Sequence, residues 1–475
     1  MKNMKRILAG TLAVLSAFSV ASCGNSKDSG KDKESSYVQK VEVASTDDIS
    51  TIPEGAPTEL EWLSYFDLNP TRAEPEKRTD VTLFEERGGS IKYSQTSSMD
   101  KYDKLASRLM ADDPPDMFWY EAGMTFPANC VKDMFQPVDE IVNFDDPLWT
   151  DVKDVAEQYT LNGKHYVAPV KFLAQSVLTY DKDMVEAAGL DDPYEIYTNG
   201  EWDWDTWYDM MTEYVEGGSD EDERYGVNGW FAPFIFHSTG KTLIQYDAEN
   251  DMYVSNLDDA DFSRATDLLY NIQKNGLYYA DWVGQAGDCF KKNILFYAMG
   301  PWAASGVHKP KEGDNWAIVP MPKDPNSDTL YSTPEMNAYM WIKGSEKPDA
   351  MKCWMECAKI VQTDEKYLAT EREKFFVNNP TWTDQMYDMA YVELVSDKFE
   401  RIVDVGYGIS TTLSNNDAAT NDTKEAVIPY MYTSVMKTDE NGSQYTWTQL
   451  IETYRPVIDS ELKTFNEAYH AFIGK

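Results

Sequence analysis

The sequence predicts a two-lobed α/β fold, on three observations. At 475 residues the chain exceeds what one hydrophobic core comfortably organises. Ile294–Met299 is a continuous apolar run closed by Gly300-Pro301, the length and punctuation of a buried strand in a parallel sheet. Runs of this kind alternate along the chain with stretches of helical periodicity, the order expected of an α/β protein.

Composition narrows the class. Hydrophobic residues make up 42% and aromatics 13%, which indicates a folded globular protein. A formal charge of −38 argues against nucleic acid or an anionic membrane surface as partner. The N-terminus reads as a targeting segment. Lys2, Lys5 and Arg6 precede the apolar run Ile7–Val20, and Val20-Ala-Ser-Cys23 resembles the cleavage motif that leaves a lipid-carrying cysteine. Residues 1–22 are therefore expected to be a signal peptide, with 23–57 a lipidated Cys23 and a polar, disordered tether. The chain is expected to be exported and anchored to the outer face of the cell membrane. Of the remaining cysteines, Cys353 and Cys357 lie four apart on a predicted helix, a poor disulfide geometry, so buried free thiols are expected there and at Cys130 and Cys289.

In order, Leu60–Phe66 alternates as a strand whose end presents Trp62, Tyr65 and Phe66. Asp67–Thr79 reads as loop and short helix, and a second strand falls near Ser90–Gln95. A helix follows with Tyr102, Leu105, Ala106, Leu109 and Met110 on one face, stopped by Asp112-Asp113-Pro114-Pro115. Asp116–Glu121 is a buried strand ending in Trp119, Tyr120 and Glu121. Val177–Asp181 is a strand, Gly200–Trp207 a capped helix start, and Tyr225–Phe231 a strand delivering Trp230 and Phe231. The helix 262–275 leads to Ile294–Met299, beyond which Trp302 is thrown out by the Gly300-Pro301 turn. Ligands of open α/β sheets bind beyond the carboxyl ends of strands, and an indole there is a flat platform for the C–H face of a sugar ring. Trp316–Pro322 is a strand and turn, Pro348–Val361 an amphipathic helix, and the C-terminal stripe Tyr454, Val457, Ile458, Leu462, Phe465, Tyr469, Phe472 is core, with Pro456 kinking its first turns.

Phe290 with Phe296-Tyr-Ala-Met-Gly-Pro-Trp302 resembles the F-x-x-G-x-x-A-M-x-x-G-x-W signature of extracellular solute-binding proteins of ABC importers, in the sugar-binding group that includes maltose-binding protein. The chain departs at the first glycine, where it has Asn293. The run Tyr102–Tyr120 is similar to the family's Y-x-x-L-x-x-x-x-A-S-G-x-x-P-D-I, anchored on Pro115-Asp116. Gly163-Lys-His-Tyr-Val-Ala-Pro looks like its G-K-x-Y-x-x-P turn, and Tyr180-Asp181-Lys182-Asp183 like Y-N-K-D with Asp181 for asparagine. Gly200–Trp207 resembles G-x-W-T-W-D-x-F, so the likeness runs in family order from about Leu60 to near the end.

The resemblance implies a periplasmic-binding-protein-like fold with three crossovers at a hinge and a ligand cleft between lobes. It places 58–168 plus 333–405 in the first lobe and 169–332 plus 406–475 in the second. The crossings are expected at Gly163–Lys171, Thr333–Ile342 and Val403–Thr412. The resemblance carries ligand contact to Trp119, Tyr120 and Glu121 and to Trp230 and Phe231. Position at strand ends and near the crossings adds Trp62, Tyr65, Lys171, Trp302, Glu335, Asn337 and Tyr407 as expected ligand-binding residues. The implied partners are a carbohydrate and the membrane permease of an importer, with no cofactor and a monomeric chain.

Other chemistry finds little footing. With 81 acidic residues, a carboxylate pair says little about acid–base catalysis, and there is no GxSxG, HExxH or phosphate-cradling glycine loop. The four histidines show no metal spacing. Asp324-Pro-Asn-Ser-Asp328 with Glu335 mimics a calcium loop, but Thr329 replaces the required glycine and no helices flank it. The alternatives kept open are a secreted carbohydrate-active enzyme and a receptor for a peptide or polyol phosphate. Glu121 and Glu335 against Lys171 predict a neutral ligand, an oligosaccharide given the number of aromatics.

Overall fold

The strand Glu59–Ser64 organises the first of two main sheets in the computed structural model. The structure describes residues 49–72, 75–121, 125–414, 426–439 and 441–475; the expected signal peptide, Cys23 and most of the tether lie outside the described residues. Leu60, Trp62 and Leu63 bury the strand. Ser90–Gln95 and Met117–Trp119 flank it in parallel, with Leu60 opposite Ile91 and Trp62 opposite Met117. Pro334–Ile342 then adds antiparallel to Met117–Trp119, and itself pairs with Phe135–Gln136 and Ala168–Ala174. The helix Pro348–Ile360 closes one face, its Trp354 packing edge-on against Phe84 and Tyr339.

Pro115-Asp116 acts as a clasp on this sheet. Asp116 is buried; its Oδ2 accepts from the Glu61 amide and from Lys347 Nζ, each at 2.7 Å, and its Oδ1 accepts from Ser345 Oγ at 2.7 Å. Glu61, on the same strand, is held by Arg108 Nη1 at 2.8 Å and Lys92 Nζ at 3.1 Å. Burial would raise this carboxyl, but the hydrogen bonds from Arg108 and Lys92 outweigh it and hold the pKa at about 2, against 4.5 for the free group. A folded-state pKa below the unfolded one stabilises above the unfolded value, and that stabilisation is lost as pH falls from 4.5 towards 2. The contribution is about 2 kcal/mol once screening at the 55%-exposed Lys92 is allowed for. Urea unfolding of wild type and Glu61→Gln should therefore show a gap at pH 7 that narrows by pH 3. A gap that stays constant with pH would contradict the assignment.

The second sheet runs in the order Trp316–Val319, Val177–Asp181, Ile294–Met299, Tyr225–Gly229. All six residues of Ile294–Met299 are buried, as the apolar run requires. The sheet is mixed rather than parallel: Ile294–Met299 is parallel to Tyr225–Gly229 and antiparallel to Val177–Asp181. The helix Trp204–Glu216 covers it, with Asp203 Oδ1 capping the Thr206 amide at 3.0 Å and Trp204, Trp207, Met210, Met211 and Tyr214 turned inward.

Two segments join the sheets, and a third passes beside the second of them. Ala168–Ala174 still belongs to the first sheet and Val177–Asp181 to the second, so the first crossing is Gln175-Ser176, later than the expected Gly163–Lys171. The expected limit at 168/169 falls at the start of that first-sheet strand. The second crossing connects Trp316–Val319 to Pro334–Ile342. The third follows Glu400–Arg401, which runs parallel to Tyr331–Ser332 beside the second.

One helix face differs from expectation. Lys101–Met110 buries Lys101 and Leu105, while Met110, in the last turn, is exposed. The C-terminal helix Trp447–Ile473 is a single helix that continues through Pro456. It opens with a Thr446/Gln449 capping box and closes at left-handed Gly474, where φ is 78°. Ile458, Leu462, Phe465 and Tyr469, spaced four, three and four apart, form its buried stripe, with Tyr454, Val457 and Phe472 half-buried beside it.

Candidate functional site

The ribbon formed by Ala168–Ala174 and Pro334–Ile342 carries one accessible face next to the crossings. Strand alternation puts Met336 and Ala338 in the core and Glu335 and Asn337 outward; Asn337 lies across from Lys171 and Glu335 across from Leu173. Burial raises the Glu335 carboxyl and lowers the Lys171 ammonium, although both side chains keep solvent contact. Both are packed in protein yet reached by water, and neither has an ion-pair partner among the described residues.

At the end of the first sheet Tyr65 donates its hydroxyl to Glu121 Oε1 at 2.7 Å. Burial, with Tyr102 and Glu335 nearby, raises the Tyr65 phenol, which places Glu335 within electrostatic reach of the pair. The other Glu121 oxygen is in contact with Lys101 Nζ. Lys101 was not anticipated as part of the site. The signal was present, since it lies four residues before Leu105 and so on the buried face of its helix.

The second sheet contributes indoles. The Trp230 amide donates to the Ala298 carbonyl at 2.7 Å, fixing Trp230, 46% exposed, beyond the ends of two adjacent parallel strands. Trp302 sits in the 3₁₀ turn Pro301–Ala304, half-buried, with its ring folded over Gly300. A Cβ at 300 would lie 2.5 Å from its Nε1 and 3.2 Å from the Gln175 carbonyl. Glycine is thus what lets the indole lie against the first crossing. Trp282, 68% exposed, is a further indole that sequence reading passed over. Its loop is pinned to the end of Tyr225–Gly229 by Asn228 Nδ2, which donates to the carbonyls of Tyr279 at 2.7 Å and Asp281 at 3.0 Å.

Other expected site residues are placed elsewhere. Trp62 is fully buried, its Nε1 donating to the Phe66 carbonyl, because it shares the inward face of its strand with Leu60. Phe231 is fully buried at the start of the helix Ala232–His237, packed on Trp207 and Tyr278. Tyr120 is buried and hydrogen-bonded to Tyr159 at 2.8 Å. These three present no open surface to a ligand in this conformation. Trp119 is half-buried in an edge-on cluster with Trp62, Phe66 and Tyr339. Tyr407 is half-buried in the turn Val405–Gly408 that follows Glu400–Arg401, where burial pushes its phenol far up.

Beside Tyr407, a buried network ties the crossings together. His237 Nδ1 is 2.8 Å from Thr333 Oγ1, its Nε2 is 3.4 Å from Asp404 Oδ2, and Tyr432 donates to the same oxygen at 2.7 Å. The calcium look-alike has another use: Arg264 takes both Asp324 oxygens, at 2.7 and 2.5 Å. Cys130, Cys289, Cys353 and Cys357 are buried and unpaired.

Two mixed sheets joined by two strand-to-strand crossings, with polar ribbon residues near the junction, are the architecture to be compared. Residues 82–358 match the bacterial extracellular solute-binding protein family. The chain belongs to that family. No curated protein matches this solute-binding protein, but solved structures do. A sugar transporter of Rhizobium etli in an open conformation superposes with a TM-score of 0.56 at 15% identity, covering 87% of this chain and 100% of the other. The sugar-binding protein MalE of Xanthomonas citri gives 0.56 at 16% identity, over 86% and 98%. A cyclo/maltodextrin-binding protein complexed with maltotetraose gives 0.59 at 17% identity, over 86% and 99%. At these identities the likeness establishes the fold, a two-lobed α/β solute-binding architecture.

Proposed function

We propose that this solute-binding protein captures a carbohydrate between its lobes and hands it to an ABC importer, acting as a monomeric receptor and not as an enzyme. It is held at the membrane by lipid on Cys23. What supports the ligand class is the presence of two indoles, Trp230 and Trp302, beyond the strand ends of one sheet, and of Tyr65, Glu121, Lys171, Glu335 and Asn337 around the other. Indole faces suit the C–H face of a pyranose, and carboxylate, amide and ammonium groups suit its hydroxyls.

The cleft also favours a neutral ligand. Lys101 offsets Glu121, and Glu335 with Lys171 bring one further group of each sign, so no excess cation is left to reward an anion. Calorimetry with matched neutral and uronic-acid oligosaccharides should show the neutral member binding at least about tenfold tighter, a difference of about 1.4 kcal/mol. Tighter binding of the acidic member, weakening as salt rises, would overturn this reading.

A further inference from the structure

We propose that Lys101 is a positioning residue for ligand capture: from the buried start of its helix it holds Glu121 against Tyr65 and offsets its charge, making that carboxylate a fixed acceptor for ligand hydroxyls. The inference rests on reading the cleft as a carbohydrate site. The Lys101 side chain is 6% exposed, and the Glu121 side chain it contacts is 30% exposed. A buried ammonium requires a partner, and here the partner reaches the cleft while the lysine does not.

The surroundings leave Glu121 little freedom. Its Oε1 takes the Tyr65 hydroxyl and its Oε2 meets Lys101, while its carbonyl accepts from Thr125 Oγ1 at 2.9 Å. That hydroxyl in turn lies 2.6 Å from Tyr102 Oη. The Lys101 ammonium stands 5.5 Å from the Tyr65 ring centre and 5.2 Å from that of Tyr102. Among the described residues, the titratable and charged groups around it are Glu121, Tyr65 and Tyr102, with Glu335 beyond Tyr65. Asp100, next to it in sequence, is turned to Ser97 Oγ at 2.5 Å. Burial draws the Lys101 ammonium down to about 8. The lysine therefore loses its charge in mild base.

Two measurements test this, one of them independent of any ligand. In ligand-free protein carrying ¹³Cε-lysine, the Lys101 signal, identified by its loss in Lys101→Arg, should titrate near pH 8 and shift lower in Glu121→Gln. A titration indifferent to Glu121→Gln would overturn the pairing. With maltotetraose as probe, Lys101→Met should bind at least about tenfold more weakly and Lys101→Arg within about threefold of wild type. On a Glu121→Gln background Lys101→Met should add less than about twofold. Losses that multiply in the double variant, or Lys101→Met binding within twofold of wild type, would overturn the role. A wild type that binds no neutral oligosaccharide, with a Lys101 titration that does respond to Glu121→Gln, would sink the carbohydrate reading alone.

Discussion

Trp302→Ala should weaken carbohydrate binding by roughly thirtyfold or more, about 2 kcal/mol, with melting behaviour close to wild type. Two features support a loss concentrated in binding. The indole is half-buried in a short turn rather than inside the second sheet's core, and its backbone geometry is set by Pro301 and Gly300. A ring held over glycine is pre-organised, so little side-chain entropy is spent on stacking when a sugar arrives. Calorimetry on a variant with unchanged circular dichroism is the check. Binding within a factor of two of wild type would make Trp302 a packing residue only.

The second large effect is on stability. Asp116→Ala should lower the free energy of unfolding by about 3 kcal/mol, because it strands several partners at once. The Glu61 amide in the sheet and the buried Ser345 Oγ in the loop after it lose their acceptor, whereas Lys347, 30% exposed, reaches water. The midpoint of urea unfolding should fall with its slope unchanged. A loss under about 1 kcal/mol would mean that the three contacts do not act as a clasp.

Asp116 also shows what the sequence made legible. Its Pro-Asp pair anchored the resemblance to the family, and in the structure that carboxylate ties the strand Glu59–Ser64 to the loop holding Ser345 and Lys347. The Asp203 cap and the buried strand Ile294–Met299 were equally readable, because each depends on local chemistry or on an uninterrupted apolar run. Side-chain direction was harder. Trp62 was expected to face a ligand, yet the period of two that predicted its strand sets it on the same face as Leu60, in the core. Phe231 was expected beside Trp230 at the ligand, but it begins a short helix and turns inward while Trp230 stays out.

Charge pairing was the least visible. Glu121 and Glu335 looked alike in sequence, whereas Tyr65 and Lys101 engage both oxygens of one, and the other is raised by burial alone. Those differences arise from residues tens to hundreds of positions apart, which no local pattern records. The first crossing was misplaced for a similar reason. Lys171 and Ala174 belong to the first sheet only because Pro334–Ile342 returns to pair with them.

Capture between two lobes is the central claim, and closure is its physical signature. A ligand touching both lobes binds the closed arrangement more tightly and shifts the population towards it. Small-angle scattering with and without saturating carbohydrate tests this most directly. The account predicts a smaller radius of gyration on binding. An unchanged radius with binding confirmed by calorimetry on the same sample would contradict it.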